Sequence, residues 1–74
     1  MNAKYLVANI AGNRIIVCAV VSYWELKEGV KQMSLTAGEK NFDVNAFCKE
    51  GSAGESATLS NGTTIQFLYL GENL

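Results

Sequence analysis

The sequence predicts a small, mainly β domain: a five-stranded antiparallel curled sheet or partly open barrel, SH3-like or OB-like, with one short helix. Runs of β-branched and aromatic residues flank two turn dipeptides, Gly12-Asn13 and Asn61-Gly62. The first strands are apolar on both sides, and only the segment after Asp43 has clear helix end signals. Residues 1–74 are expected to form one domain, because a chain this short has interior for one core.

The first predicted unit is a hairpin of residues 5–10 and residues 14–26, joined by Gly12-Asn13. We expect Ile10 to face Ile15 and Ala8 to face Val17 across this turn. One side of the hairpin would then hold Leu6, Ala8, Ile10, Ile15, Val17, Ala19 and Val21. The other side would hold Tyr5, Val7, Ile16, Cys18 and Val20. Both sides are apolar, so both need cover, which closure of a barrel supplies within one chain and a second chain supplies otherwise.

Residues 27–37 are expected to form a turn and a third strand. Lys27-Glu28-Gly29 would make the turn, and residues 30–37 would return with Lys31 opposite Glu25. The alternative is a helix over residues 24–33, which Gly29 penalises.

A short helix is predicted after a polar connection at residues 38–41. Asp43 is a good N-cap, Phe42 can pack on Phe47, and Gly51 is placed for a left-handed C-cap. We expect this helix to cover an open end of the barrel.

The last hairpin follows a flexible loop at residues 51–56. Residues 57–60 and 63–70 would flank the turn at Asn61-Gly62. This register places Ala57, Leu59, Leu68 and Leu70 on one side of the hairpin. Ile65, Phe67 and Tyr69 would lie on the other side with Ser56 and Thr58.

The composition excludes several kinds of site. The chain has no histidine and no Cys-x-x-Cys pair, so we expect no metal site. Cys18 and Cys48 are expected to be free, buried thiols, with a single bridge between them as the alternative. Neither a catalytic triad nor a phosphate-binding glycine pattern is present, so we expect no enzyme activity and no cofactor.

Charge and hydropathy indicate the class of partner and the cellular compartment that we expect for this protein. Six basic and seven acidic residues are scattered singly, which disfavours nucleic acid as a partner. No apolar run approaches the roughly 20 residues of a membrane span, and no targeting signal is evident. We therefore expect a cytoplasmic protein.

The expected function is binding. We expect a stand-alone module that occupies a surface of another protein, as a phage or mobile-element inhibitor of a host defence protein would. The candidate contact residues are Tyr23, Trp24, Glu25, Glu28, Phe67 and Tyr69.

Two alternatives remain at this stage. The first is a barrel that stacks single-stranded nucleic acid on Tyr23, Trp24 or Phe67, with the cations Arg14, Lys27 and Lys31 nearby. The second is a homodimer or larger homo-oligomer, in which the two-sided apolar strands cover one another.

Overall fold

The computed structural model describes residues 3–72 and has two layers, a four-stranded antiparallel sheet and two helices packed on one of its sides. The strand order is β2-β1-β4-β3. The elements are β1 (Lys4–Ala11), β2 (Arg14–Ser22), α1 (Tyr23–Thr36), α2 (Val44–Phe47), β3 (Gly54–Thr58) and β4 (Thr63–Gly71). The mainly β, antiparallel prediction is confirmed. The predicted five strands and the SH3-like or OB-like barrel are not confirmed, because the sheet of the described residues has four strands and is open.

Helix α1 replaces the predicted turn and third strand. The Glu25 main-chain N–H donates to Ser22 Oγ at 3.3 Å, and the Ser22 N–H donates to Glu25 Oε1 at 2.9 Å. This reciprocal capping box ends β2 at Ser22, four residues before the predicted end. Leu26 and Val30 are buried at helical spacing, so the helix also has a core-facing side. The alternative prediction of a helix is confirmed, and its packing outweighs the helix penalty of Gly29.

A bulge in β2 changes which of its side chains face the helices. Ile10 pairs with Ile15 as predicted, but Ala8 pairs with Cys18 instead of Val17, because β2 has one extra residue between these pairs. The side-chain pattern of a strand alternates, so one extra residue exchanges the two sides of all that follows. The residues thereby moved to the helix side are Val17, Ala19 and Val21.

The β3–β4 hairpin also differs from prediction by one residue. Ala57 pairs with Ile65 and therefore lies on the helix side. The Asn61 side chain accepts hydrogen bonds from the main-chain N–H and the hydroxyl of Thr63, which holds a loop longer than two residues. Leu59 lies in this loop and is buried in the core. Strand β3 begins at Gly54, within the segment that was predicted to be a flexible loop.

Two of the three end signals predicted for the short helix are confirmed in α2. The Asp43 side chain accepts from the Ala46 N–H at 3.1 Å, and the Phe42 and Phe47 rings are 5.4 Å apart. The helix ends at Phe47, so Gly51 does not cap it, although Gly51 has a positive φ of 86°. In place of covering a barrel end, α2 packs on the sheet.

The main hydrophobic cluster lies between the sheet and the helices. Aromatic rings meet edge-on in its centre, with Phe47 5.4 Å from Phe67 and Tyr5 6.0 Å from Phe67. The buried cluster consists of Tyr5, Val7, Leu26, Val30, Cys48, Leu59, Ile65 and Phe67. The opposite side of the sheet has no second layer among residues 3–72.

Candidate binding surface

The side of the sheet that faces away from the helices is apolar, and we call it the open face. Its members alternate with the core residues along each strand. The apolar members are Leu6, Ala8, Ile10, Ile15, Cys18, Val20 and Leu68. Polar side chains of Gln66, Thr64 and Ser56 continue the face towards β3.

The open face has a continuous aliphatic row. Leu6 of β1 pairs with Val20 of β2 on one side and with Leu68 of β4 on the other, so the row crosses three strands. Val20 is 58% exposed and Leu68 is 43% exposed. Ile10 and Ile15 form a parallel pair nearer the β1–β2 turn, where Ile15 is 65% exposed. Contiguous exposed aliphatic side chains of this kind are typical of interaction sites.

A shallow groove lies beside β4, the third strand that the aliphatic row crosses. Gly54 of β3 pairs with Leu68, and the absence of a side chain at Gly54 lets the Leu68 side chain lie over it. The groove is lined by Ala53, Gly54, Glu55, Ser56, Gln66 and Leu68. The row thus ends in a polar rim, as protein-binding surfaces commonly do.

Four of the six predicted contact residues, Tyr23, Trp24, Glu25 and Glu28, lie on α1, and the last three of them are exposed. Trp24 is 68% exposed, and Glu28, one helical turn later, is exposed on the same outer side of the helix. The Glu25 carboxylate accepts the Ser22 N–H of the capping box, and this main-chain hydrogen bond is the largest cause that lowers its pKa below the usual value. Glu25 therefore has a structural role in the start of the helix.

Tyr23 of α1 packs towards the sheet, and Phe67 and Tyr69 of β4 lie on the side of the sheet that faces the helices. Phe67 is fully buried in the core and is not part of any surface. The Tyr23 hydroxyl donates to the main-chain carbonyl of Cys48, and the Tyr69 ring packs 5.2 Å from the Tyr5 ring. The six residues therefore do not form one surface. Sequence reasoning did not choose Leu6, Val20 and Leu68, although the two-sided apolar pattern of the first hairpin was a signal for an exposed apolar face.

The two cysteines are free and have different surroundings. Cys48 is buried in the core, and this burial raises the pKa of its thiol to about 11. Cys18 is exposed on the open face, which corrects the prediction that both thiols are buried. A bridge between them is not formed, because they lie on opposite sides of the sheet.

No protein-family model, characterised protein or solved structure matches this chain. Within residues 3–72, no helix is both long enough and apolar enough to cross a membrane.

Proposed function

We propose that this protein is a protein-binding module that occupies a surface of another protein with its open face and performs no catalysis. The observation that carries the proposal is the aliphatic row in which half-buried Leu6 lies between exposed Val20 and exposed Leu68. Covering such side chains removes apolar surface from water, which is the main favourable contribution to protein association.

The biological role that we propose is stoichiometric inhibition, in which a phage or mobile-element protein blocks a host defence protein. The support is physical: the molecule measures 35 × 26 × 16 Å, and its open face presents a broad apolar surface. A body of this shape can obstruct a partner's surface by steric contact alone.

Nucleic-acid binding is less well supported by the open face. Single-stranded nucleic acid is held by aromatic side chains that stack on bases, within a cationic groove. The open face as defined has aliphatic members and no aromatic ring, and the formal net charge of the chain is −1. These features favour a protein partner.

Site-specific photo-cross-linking tests the proposal. A photoreactive amino acid replaces Leu68 on the open face in one variant and Glu28 on the outer side of α1 in the other. Both positions are exposed, so both variants are expected to fold. Cross-linked products formed in the native cell are then identified by mass spectrometry.

We expect one protein to cross-link strongly at the Leu68 position and weakly at the Glu28 position. Equal, diffuse cross-linking at both positions would show that the open face binds nothing specific, and the proposal would then fail. A partner found only from the Glu28 position would place the binding surface on α1, near Trp24, and would also contradict it.

A further inference from the structure

Strand β2 is a sheet edge whose protection against pairing, the exposed Arg14 and the bulge, is confined to the end near the β1–β2 turn. It is the first strand in the order β2-β1-β4-β3 and runs for nine residues. Residues 15–22 contain no charged side chain and no proline. Natural edge strands are normally blocked by charge, proline or short length. The other edge, β3, has five residues and includes Glu55, so the two edges are not equivalent.

We infer that two copies of this chain pair through their β2 strands, antiparallel about a twofold axis, to form one continuous eight-stranded sheet. This interface uses the main-chain edge of β2 and goes beyond the binding proposed for the open face. The bulge lies near the β1–β2 turn, so the stretch from Val17 to Ser22 is regular and available for pairing.

The sequence of β2 is complementary to itself in this arrangement. An antiparallel strand pair about a twofold axis places the two halves of the same strand opposite each other. Aliphatic residues occupy both halves of the regular stretch, with Val17 in the first half and Val20 and Val21 in the second. When the twofold axis passes near the middle of β2, apolar side chains of one copy therefore lie opposite apolar side chains of the other.

Charge at the two ends of β2 favours a second copy as the occupant. Arg14 begins the strand and is exposed, whereas Glu25 lies three residues beyond its end. Antiparallel pairing brings Arg14 of each copy to the end that holds Glu25 of the other, so a cation approaches an anion at both ends, next to Lys4 of β1, which pairs with Ser22.

Pairing of this kind would also enlarge the open face. In the register centred on Val20, the Val20 side chains of both copies would lie beside the shared axis, and each aliphatic row would continue into the other. Two sheets joined in this way present one apolar surface of twice the width.

Cys18 provides a direct test on the unaltered sequence. It is the middle residue of β2, it is exposed, and its side chain lies on the open face rather than at the edge. Registers centred within two residues of Cys18 place the two Cys18 Cα atoms within about 14 Å, at roughly 3.3 Å rise per residue. We expect a short bismaleimide to convert most of the protein into a covalent dimer through Cys18. Recovery of uncross-linked monomer alone would overturn the inference.

Light scattering with matched variants separates the β2 edge from the open face. The variant Val17→Lys/Val20→Lys places charge on both sides of the edge strand, whereas Leu68→Lys/Leu70→Lys adds the same charge on β4. All four side chains are exposed, so circular dichroism is expected to show folded variants. We expect twice the 8.0 kDa chain mass for the unaltered protein and for the β4 variant.

The edge variant is expected to raise the dimer dissociation constant at least about 100-fold, because like charges meet across the axis. A mass of 8.0 kDa for the unaltered protein at all concentrations would overturn the inference. Dissociation caused by the β4 variant and not by the edge variant would assign assembly to the open face, and would overturn it as well.

Discussion

The hydroxyl group of Tyr23 donates a hydrogen bond to the main-chain carbonyl of Cys48, 25 positions later in the chain. Tyr23 is the first residue of α1, and Cys48 is the C-cap of α2. The Tyr23 ring also packs 5.7 Å from the ring of Tyr5 in β1. This one side chain therefore connects both helices to each other and to the sheet.

Replacement of Tyr23 by Phe is expected to lower the free energy of unfolding by about 1 kcal/mol, because a part-buried carbonyl loses its donor. Urea denaturation followed by circular dichroism measures the change. Tyr69→Phe is the control, since Tyr69 belongs to the same aromatic group but is 38% exposed. Equal losses in the two variants would contradict a specific role for the hydrogen bond of Tyr23.

Gly54→Ala is expected to lower the free energy of unfolding by about 1–3 kcal/mol, in the range of overpacked sites. A Cβ atom at Gly54 would lie 2.6 Å from the Phe67 carbonyl oxygen and 3.0 Å from Leu68 Cδ2. The carbonyl belongs to the main chain of β4 and cannot turn aside, so the strands must separate. Thermal or urea unfolding measures the loss.

Gly29→Ala is the matched control, because a Cβ atom at Gly29 meets nothing within 4 Å. Gly29 lies inside α1, where alanine is favoured over glycine by about 1 kcal/mol. This variant should therefore unfold at higher urea concentration than the unaltered protein. A loss of stability in both variants would indicate that the close approach at Gly54 is not the cause.

Local signals in the sequence predicted the parts of the fold that depend on neighbouring residues. The turn at Gly12-Asn13, the Asp43 N-cap and the packing of Phe42 on Phe47 are all confirmed. Helix α1 was predicted only as an alternative, because Gly29 disfavoured a helix and the capping box of Ser22 and Glu25 was not recognised in the sequence. A capping box is a two-residue signal and is as local as a turn, so the sequence did contain the information.

The candidate surface could not be predicted to the same degree, because side-chain direction in a strand depends on every residue before it. One extra residue in β2 exchanged the positions of Val17 and Val20 relative to the helices. Phe67 was expected at a surface and is in the core, since its burial depends on helices that are distant in sequence. Whether a side chain is exposed depends on how the whole molecule packs, whereas its apolar character is evident from the sequence.

Cysteine alkylation is expected to distinguish the two thiols. The thiolate is the reactive form, and burial raises the pKa of Cys48 to about 11. Mass spectrometry after brief treatment with iodoacetamide at mildly alkaline pH should show one adduct per folded chain, at Cys18, and two in urea. Rapid formation of two adducts on the folded protein would contradict the burial of Cys48.

The Glu25 carboxylate is expected to make stability depend on pH in the acid range. Hydrogen bonds from Ser22, chiefly from its main-chain N–H, lower the pKa of Glu25 below the usual value of 4.5 in the folded protein. The unfolded chain therefore binds its proton first, so the stabilisation is complete well above pH 4.5 and is lost as the pH falls through the lower folded value.

Glu25→Gln tests this dependence, because the amide oxygen can accept the same hydrogen bond but does not titrate. The unaltered protein should be the more stable of the two at neutral pH, since a charged acceptor bonds more strongly and also favours the helix N-terminus. Urea unfolding at a series of pH values should show this advantage shrinking below pH 4.5. An advantage that stays constant throughout the acid range would mean that Glu25 does not titrate with a lowered pKa, and that the capping box does not depend on its charge.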